Sequence, residues 1–149
     1  MSTPIKWRHA PRDHEHDIAD VTGLTTRLAE LEYDSGVRDL SGYLANGATA
    51  DIFEVQRVGR TVTISVVGLT APGGSSIVAL SAGNFPAGFR PDSDRQQPLG
   101  AINYTVARLR VLSSGTVSLF RGGGGQSYAG VLTYLVPPEL PTTLPGDPA

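Results

Sequence analysis

The hydrophobic period of this chain changes at Asp34–Gly36, and that change limits the folds open to it. Before it, Val21, Leu24, Leu28 and Leu31 recur three, four and three residues apart, at helical spacing. After it, apolar and polar residues alternate, as along a strand with one buried face. The expectation is a mainly β protein: a short N-terminal arm and a coiled-coil-like helix, then an antiparallel β-sandwich head of jelly-roll type. The corresponding segments are an arm over 1–17, a helix over 18–35, a head over 36–136 and a proline-rich tail over 137–149.

Asp20 is suited to cap a helix that begins near Val21. Its apolar stripe has a/d spacing, with Arg27, Glu30 and Glu32 off the seam. A helix of about three turns is marginal in water on its own. The stripe therefore needs a partner, either the head or the same helix of other copies.

In the head, "VRDLSGYL" (37–44) predicts a first strand. "DIFEVQRVGRTVTISVVGL" (51–69) predicts a hairpin turning near Gly59, with Phe53 and Val55 on one face of one arm and Val62, Ile64 and Val66 on one face of the other. "SSIVALS" (75–81) predicts a short strand after the loop "APGG", and "NFPAGFRPDSDRQQPLG" (84–100) a long loop. "AINYTVARLRVLSSGTVSLFR" (101–121) predicts a second hairpin turning at Ser113–Gly115, with a β-bulge between Val106 and Leu109. "GVLTYLV" (130–136) predicts the last strand, and the prolines after it bar the tail from a central strand.

Composition narrows the function classes. A formal charge of −2 gives no bulk attraction to nucleic acid or to an anionic membrane. With no cysteine, disulfides, thiolate catalysis and cysteine zinc sites are excluded. The N-terminus has no apolar run and no stretch is long enough to span a bilayer, so neither a secretory signal nor membrane insertion is expected. The expected place of synthesis is a cytoplasm.

The chemistry-bearing residues are few. "RDHEHDIADVTGL" (12–24) holds His14 and His16. On an extended segment both point to one side. One chain offers only two imidazoles, but a threefold axis would gather six, enough for an octahedral transition ion; the plain alternative is a polar linker, and no other cofactor is expected. All three histidines lie in the arm and no G-x-S-x-G elbow occurs, so a Ser-His-Asp site is not expected. Paired carboxylates at Asp92 and Asp94, or at Asp51 and Glu54, are the hydrolase option, against the plain reading of loop solvation. "RGGGGQS" (121–127) lacks the Lys-Ser/Thr of a phosphate loop. Tyr43, Tyr104, Tyr128 and Tyr134 with Arg108, Arg110 and Arg121 are residues of the kind that line sugar-binding surfaces, or that pack half-buried on strands. Packing is expected for Tyr104 and Tyr134. Arg121, Gln126 and Tyr128, beside the glycine loop, are the candidates for a glycan-binding surface.

Three phrases, in order, carry a family resemblance. "HDIADVTGLTTRLAELE" (16–32) resembles the segment that precedes the head or shaft of tailed-phage fibre proteins. "GNFPAGFRPD" (83–92) is similar to a loop in the β heads of such proteins, and "PTTLPG" (141–146) to the ending of minor tail proteins from phages of actinobacteria. The resemblance implies a virion protein, a homotrimer without enzymatic activity. It further implies that Lys6, Trp7, Arg8, His9 and Arg12 dock on other virion proteins, that Val21, Leu24, Leu28 and Leu31 form the trimer interface, and that the head meets a host-surface glycan. The head follows the helix almost at once, which favours a short tail-tip knob or a trimeric capsid decoration over a long fibre. A fibre-associated glycan-degrading enzyme and a cellular carbohydrate-binding module are the alternatives from other classes.

Overall fold

A computed structural model describes residues 23–101, 103, 105–120 and 124–149. The arm, Asp20 and Val21 lie outside the described residues. The described residues form one α-helix, α1 (Leu24–Glu32), and nine strands: β1 (Arg38–Asp39), β2 (Ile52–Val58), β3 (Thr61–Leu69), β4 (Ser76–Leu80), β5 (Arg95–Ala101), β6 (Val106–Val111), β7 (Val117–Phe120), β8 (Tyr128–Leu135) and β9 (Asp147–Pro148). All pairings are antiparallel, in the order β4-β7-β6-β5-β8-β3-β2-β1-β9. The protein is thus mainly β, as expected, and its strands make one continuous curled sheet.

Curling follows from the alternation. Phe53 and Val55 of β2, Val62, Ile64 and Val66 of β3, Ala107, Leu109 and Val111 of β6, and Leu132 and Tyr134 of β8 are all buried in one cluster. A sheet whose inner face has a single core must bend until its two halves meet. The β4 edge is covered by the β1–β2 connection, where Ala45 N donates to Ala79 O at 2.9 Å and Asn46 Nδ2 to Val78 O at 2.9 Å. At the other edge Pro148 offers no N–H, which blunts further strand addition.

Several boundaries differ from expectation. Helix α1 starts at Leu24, not near Val21, because Gly23 occupies the N-cap position in the left-handed region (φ 83°) with no side-chain cap. Strand β1 is two residues long. The Asp39 carboxylate accepts from Ser41 N at 2.8 Å and turns the chain into the 3₁₀ segment Ser41–Tyr43. The stretch read as loop to residue 100 ends in β5, and the stretch read as one strand from Ala101 is divided between the end of β5 and the antiparallel β6, with Asn103 Oδ1 accepting from Thr105 N between them. Pro98 is tolerated inside β5 because that strand meets β8 only at Gly100 and Ala101, which leaves Pro98 paired on one side. There is no bulge in β6, where the inward residues are Ala107, Leu109 and Val111 and pairing is continuous. Register shifts occur instead between Val66 and Leu69 and between Val78 and Leu80.

The tail is integral to the head. Arg38 Nε and Nη2 donate to the carbonyls of Pro145 (3.0 Å) and Gly146 (2.7 Å). At Gly88 a Cβ would come within 2.6 Å of Pro141 Cα, so only glycine permits this backbone approach. Arg57, on the inner face after Phe53 and Val55, is fully buried. Its Nε donates to Gly59 O at 2.7 Å, and its Nη1 donates to Gly88 O and, at 2.8 Å, to Glu139 O. The guanidinium also lies 5.3 Å from the centroid of the Tyr33 ring. Tyr134 Oη donates to Phe89 O at 2.7 Å inside the core.

Two stability predictions follow from these buried groups. Arg57→Met strips the donor from three carbonyls and should cost about 3 kcal/mol or more; Arg57→Lys should restore little, since one ammonium cannot replace the fork. Urea denaturation measures both. Burial raises the Tyr134 phenol above its ordinary value. A raised folded-state value means stability that is intact below about pH 10, where the unfolded phenol is neutral, and lost as pH climbs beyond it. Tyr134→Phe should cost about 1–3 kcal/mol at neutral pH and should flatten the alkaline loss, as followed by thermal melts between neutral pH and pH 11.

Candidate functional site

Helix α1 marks one end of the head. The carbonyl oxygens of Glu30 and Leu31 lie 3.4 and 3.6 Å from the position a Cβ would take on Gly59, in the β2–β3 turn. The linker after α1 is tied to the end of β2: Ser35 N donates to Arg57 O at 2.9 Å, and Gly59 N to Tyr33 O at 2.7 Å. Arg27, Glu30, Leu31, Arg60 and Pro138 line a groove of about 470 Å³ at this end. None of the α1 residues is buried; Leu28 is 37% and Leu31 73% exposed. The leucine stripe is thus only partly covered by the described part of its own chain, with Leu24 half-buried and Leu31 open.

The glycine-loop candidates lie at the other end of β3, which spans roughly 27 Å at the usual rise per residue. Leu69 at the end of β3 pairs with Tyr128, and Gln126 precedes it by two residues. The Gln126 amide oxygen accepts from the Asn103 side chain, which also serves Thr105, so polar groups do gather here. Tyr128 is not among them. It is 1% exposed and belongs to the core, because it opens β8 with its ring on the same face as Leu132 and Tyr134. That removes it from the candidate glycan surface. Arg121 and Tyr104 lie outside the described residues, as do the arm residues Lys6, Trp7, Arg8, His9, Arg12, His14 and His16. Tyr134 packs, as expected.

The carboxylate pairs do not face each other across a cleft. Asp51 sits at a bend before β2 with its carboxylate beside Gly68, whereas Glu54 is on β2, on the face opposite Phe53 and Val55. Asp94 is engaged by its own fold: its Oδ1 accepts from Ser113 N at 3.1 Å and its Oδ2 from Arg110 Nη2 at 2.7 Å. The Ser113 N–H, then Arg110, hold the Asp94 carboxyl below its usual range. Among the described residues no three metal-ligating side chains cluster.

A third surface feature escaped the sequence reading. The 3₁₀ segment with Tyr43, the turn around Asn84 and the returning tail enclose a groove of about 350 Å³ on the flank of the head. Tyr43, Pro86 and Leu144 supply apolar surface, and Asn84 and Thr143 supply polar groups. At its rim the Tyr43 Oη donates to the Asp147 carboxylate, at 3.2 and 3.3 Å from its two oxygens. The carboxylate raises the phenol above its usual value, so Tyr43 stays protonated and donating. Sequence reasoning missed the groove because its walls come from three segments some 40 to 60 residues apart, joined only by the folded tail.

No protein-family model matches the chain, and no curated protein matches it at a significant level.

Burial separates the two neighbours at the far end. Tyr128→Ala should lower stability by about 3–5 kcal/mol as a large-to-small core change. Gln126→Ala should stay within about 0.5 kcal/mol. Paired denaturation curves check this, and equal losses in the two variants would contradict the assignment of Tyr128 to the core.

Proposed function

We propose that the protein is a structural appendage of a tailed-phage virion, a homotrimeric short tail-fibre or minor tail protein that offers its head to a host-surface glycan. On this reading the curled sheet is a sandwich-like head. The arm with Lys6, Trp7, Arg8, His9 and Arg12 docks on the virion, and Leu24, Leu28 and Leu31, with Val21 before them, meet their counterparts around the trimer axis.

The observation that carries this reading is the only partly covered α1. A nine-residue helix gains too little from its own hydrogen bonds to persist alone. Leu31 is largely exposed, Leu28 partly so and Leu24 half-buried, while the adjoining head buries its core without them. A helix that the described part of its own chain covers only in part, at seam spacing and tied to the head through Ser35 and Gly59, is suited to meet other copies. Three heads per assembly would turn weak individual contacts into firm attachment by effective concentration.

Sedimentation equilibrium tests the reading. A trimer is expected, and a folded monomer at every concentration would refute it. The double variant Leu28→Glu/Leu31→Glu should sediment as a monomer while its near-ultraviolet circular dichroism, which reports the head aromatics, stays as in the parent. Labelling the protein on intact virions should place it on the tail; label over the shell would make it a capsid decoration.

A further inference from the structure

We infer that the flank groove between Tyr43, Asn84 and Thr143 is a binding site for a neutral sugar, with the Tyr43 ring as its platform and Asp147 as a hydroxyl acceptor at its rim. The inference takes from the proposed function only that the head meets a glycan, and it moves the contact away from the glycine loop.

The chemistry of the walls selects the ligand class. A sugar presents an apolar face of C–H groups and a girdle of hydroxyls. It therefore needs an exposed aromatic or apolar surface beside hydrogen-bonding groups that point across it. The groove has both. Tyr43 is exposed, and Pro86 and Leu144 extend the apolar wall. The Asn84 amide and the Thr143 hydroxyl make no side-chain hydrogen bond among the described residues, so each has donor and acceptor capacity to offer. The volume of about 350 Å³ falls at the small end of ligand pockets. No charged side chain lines the groove itself; the Asp147 carboxylate stands at its rim, and the Arg38 guanidinium, behind the tail wall, donates to Pro145 O and Gly146 O. A neutral sugar can donate a hydroxyl to the Asp147 carboxylate, which an acidic group placed at that rim could not do.

The groove is also held in shape before any ligand arrives. Its tail wall is clamped by the two Arg38 hydrogen bonds to Pro145 O and Gly146 O. Strand β9 pairs with β1 through Asp39↔Asp147, directly behind the rim. Gly146, with φ of 55°, passes so close to Asp39 O that a Cβ would stand 2.0 Å from it, so no other residue fits this approach. On the opposite wall Asn84 N donates to Ser81 O at 3.1 Å. A proline-rich segment that served only as an edge cover would need no exposed ring beside it and no polar side chains left unbonded along the same groove. A rigid recess loses little conformational entropy on binding, which suits a weak site used in several copies.

The test is a titration of isotope-labelled full-length protein with methyl glucoside, methyl galactoside and methyl mannoside, and with glucuronate, followed by heteronuclear NMR. At least one neutral glycoside should give saturable amide shifts centred on residues 42–44, 83–86 and 143–147. Tyr43→Ala should weaken that binding about tenfold or more, the scale of losing an aromatic anchor. Tyr43→Phe, which keeps the ring, should weaken it less, and Asp147→Asn should narrow the preference for neutral over acidic sugar. Tyr43 is outside the core, so unchanged thermal melts would show that the variants are folded. Shifts centred on residues 103 and 124–127, no saturable shift with any of the neutral glycosides, or tighter binding of glucuronate would each overturn the proposal. A monomer that binds the glycoside here would keep this site and remove the trimeric reading; a trimer that does not would do the reverse.

Discussion

The guanidinium of Arg57 is the contact on which the rest of the head depends. It is a charge taken fully out of solvent at the end of β2. Among the described residues no carboxylate bonds it; backbone carbonyls of Gly59, Gly88 and Glu139 accept from it, and the Tyr33 ring faces it. Burial lowers its affinity for the proton, with Tyr33 and Glu30 acting the other way, but arginine has enough reserve to stay charged. The arrangement joins the β2–β3 turn, the loop after β4 and the tail 82 residues downstream. One arginine nitrogen and the Tyr33 hydroxyl are buried without a hydrogen-bond partner among the described residues. The cation–π contact compensates part of that cost.

The phrase "NFPAGFRPD" acquires a structural meaning from this contact. Phe85 and Phe89 are buried and meet edge to face, with ring centroids 6.1 Å apart. Arg90 folds back to donate to Phe85 O at 2.7 Å and to Ala82 O at 3.0 Å. Gly88 admits the tail backbone and Tyr134 secures Phe89 O. Every large residue of the phrase is used to fasten the loop to the core and the tail to the loop. Asn84, half-buried beside them, makes no side-chain hydrogen bond among the described residues and is the part the proposed sugar site uses. A resemblance carried by such a phrase therefore bears first on how a head is built and only then on what it touches.

Where alternation was strong, the fold was legible. The β2–β3 hairpin, β8 and the inward Phe53, Val55, Val62, Ile64 and Val66 follow from period alone. The same rule, extended by one step, places Arg57 inward, yet a charged residue is ordinarily assigned to solvent and the position was passed over. Strand β5 was illegible because "RQQPLG" has a proline and buries only Leu99; its pairing is imposed by β6 rather than by its own pattern. Tyr128 was misjudged because a neighbouring glycine run suggested a surface, whereas the register against Leu69 draws its ring inside. The candidate sugar groove has no local signature at all, since it exists only once the tail is pinned by Arg38 and Asp39.

The helix and the head obey different physics, and this separates their roles. The head closes its core within one chain, and its prolines, covered edges and clamped tail leave few strand edges open to addition. Helix α1 adds no fully buried residue to that core: Leu24 is half-buried, and Leu28 and Leu31 are exposed. Substitutions in the core must therefore act on each head singly, through folding. On the proposed trimeric reading, substitutions on the α1 stripe act on association, so assembly becomes a function of protein concentration while the head does not. That reading gives the division a use: the head folds wherever the chain is made, and the helix forms its seam only where local concentration is high.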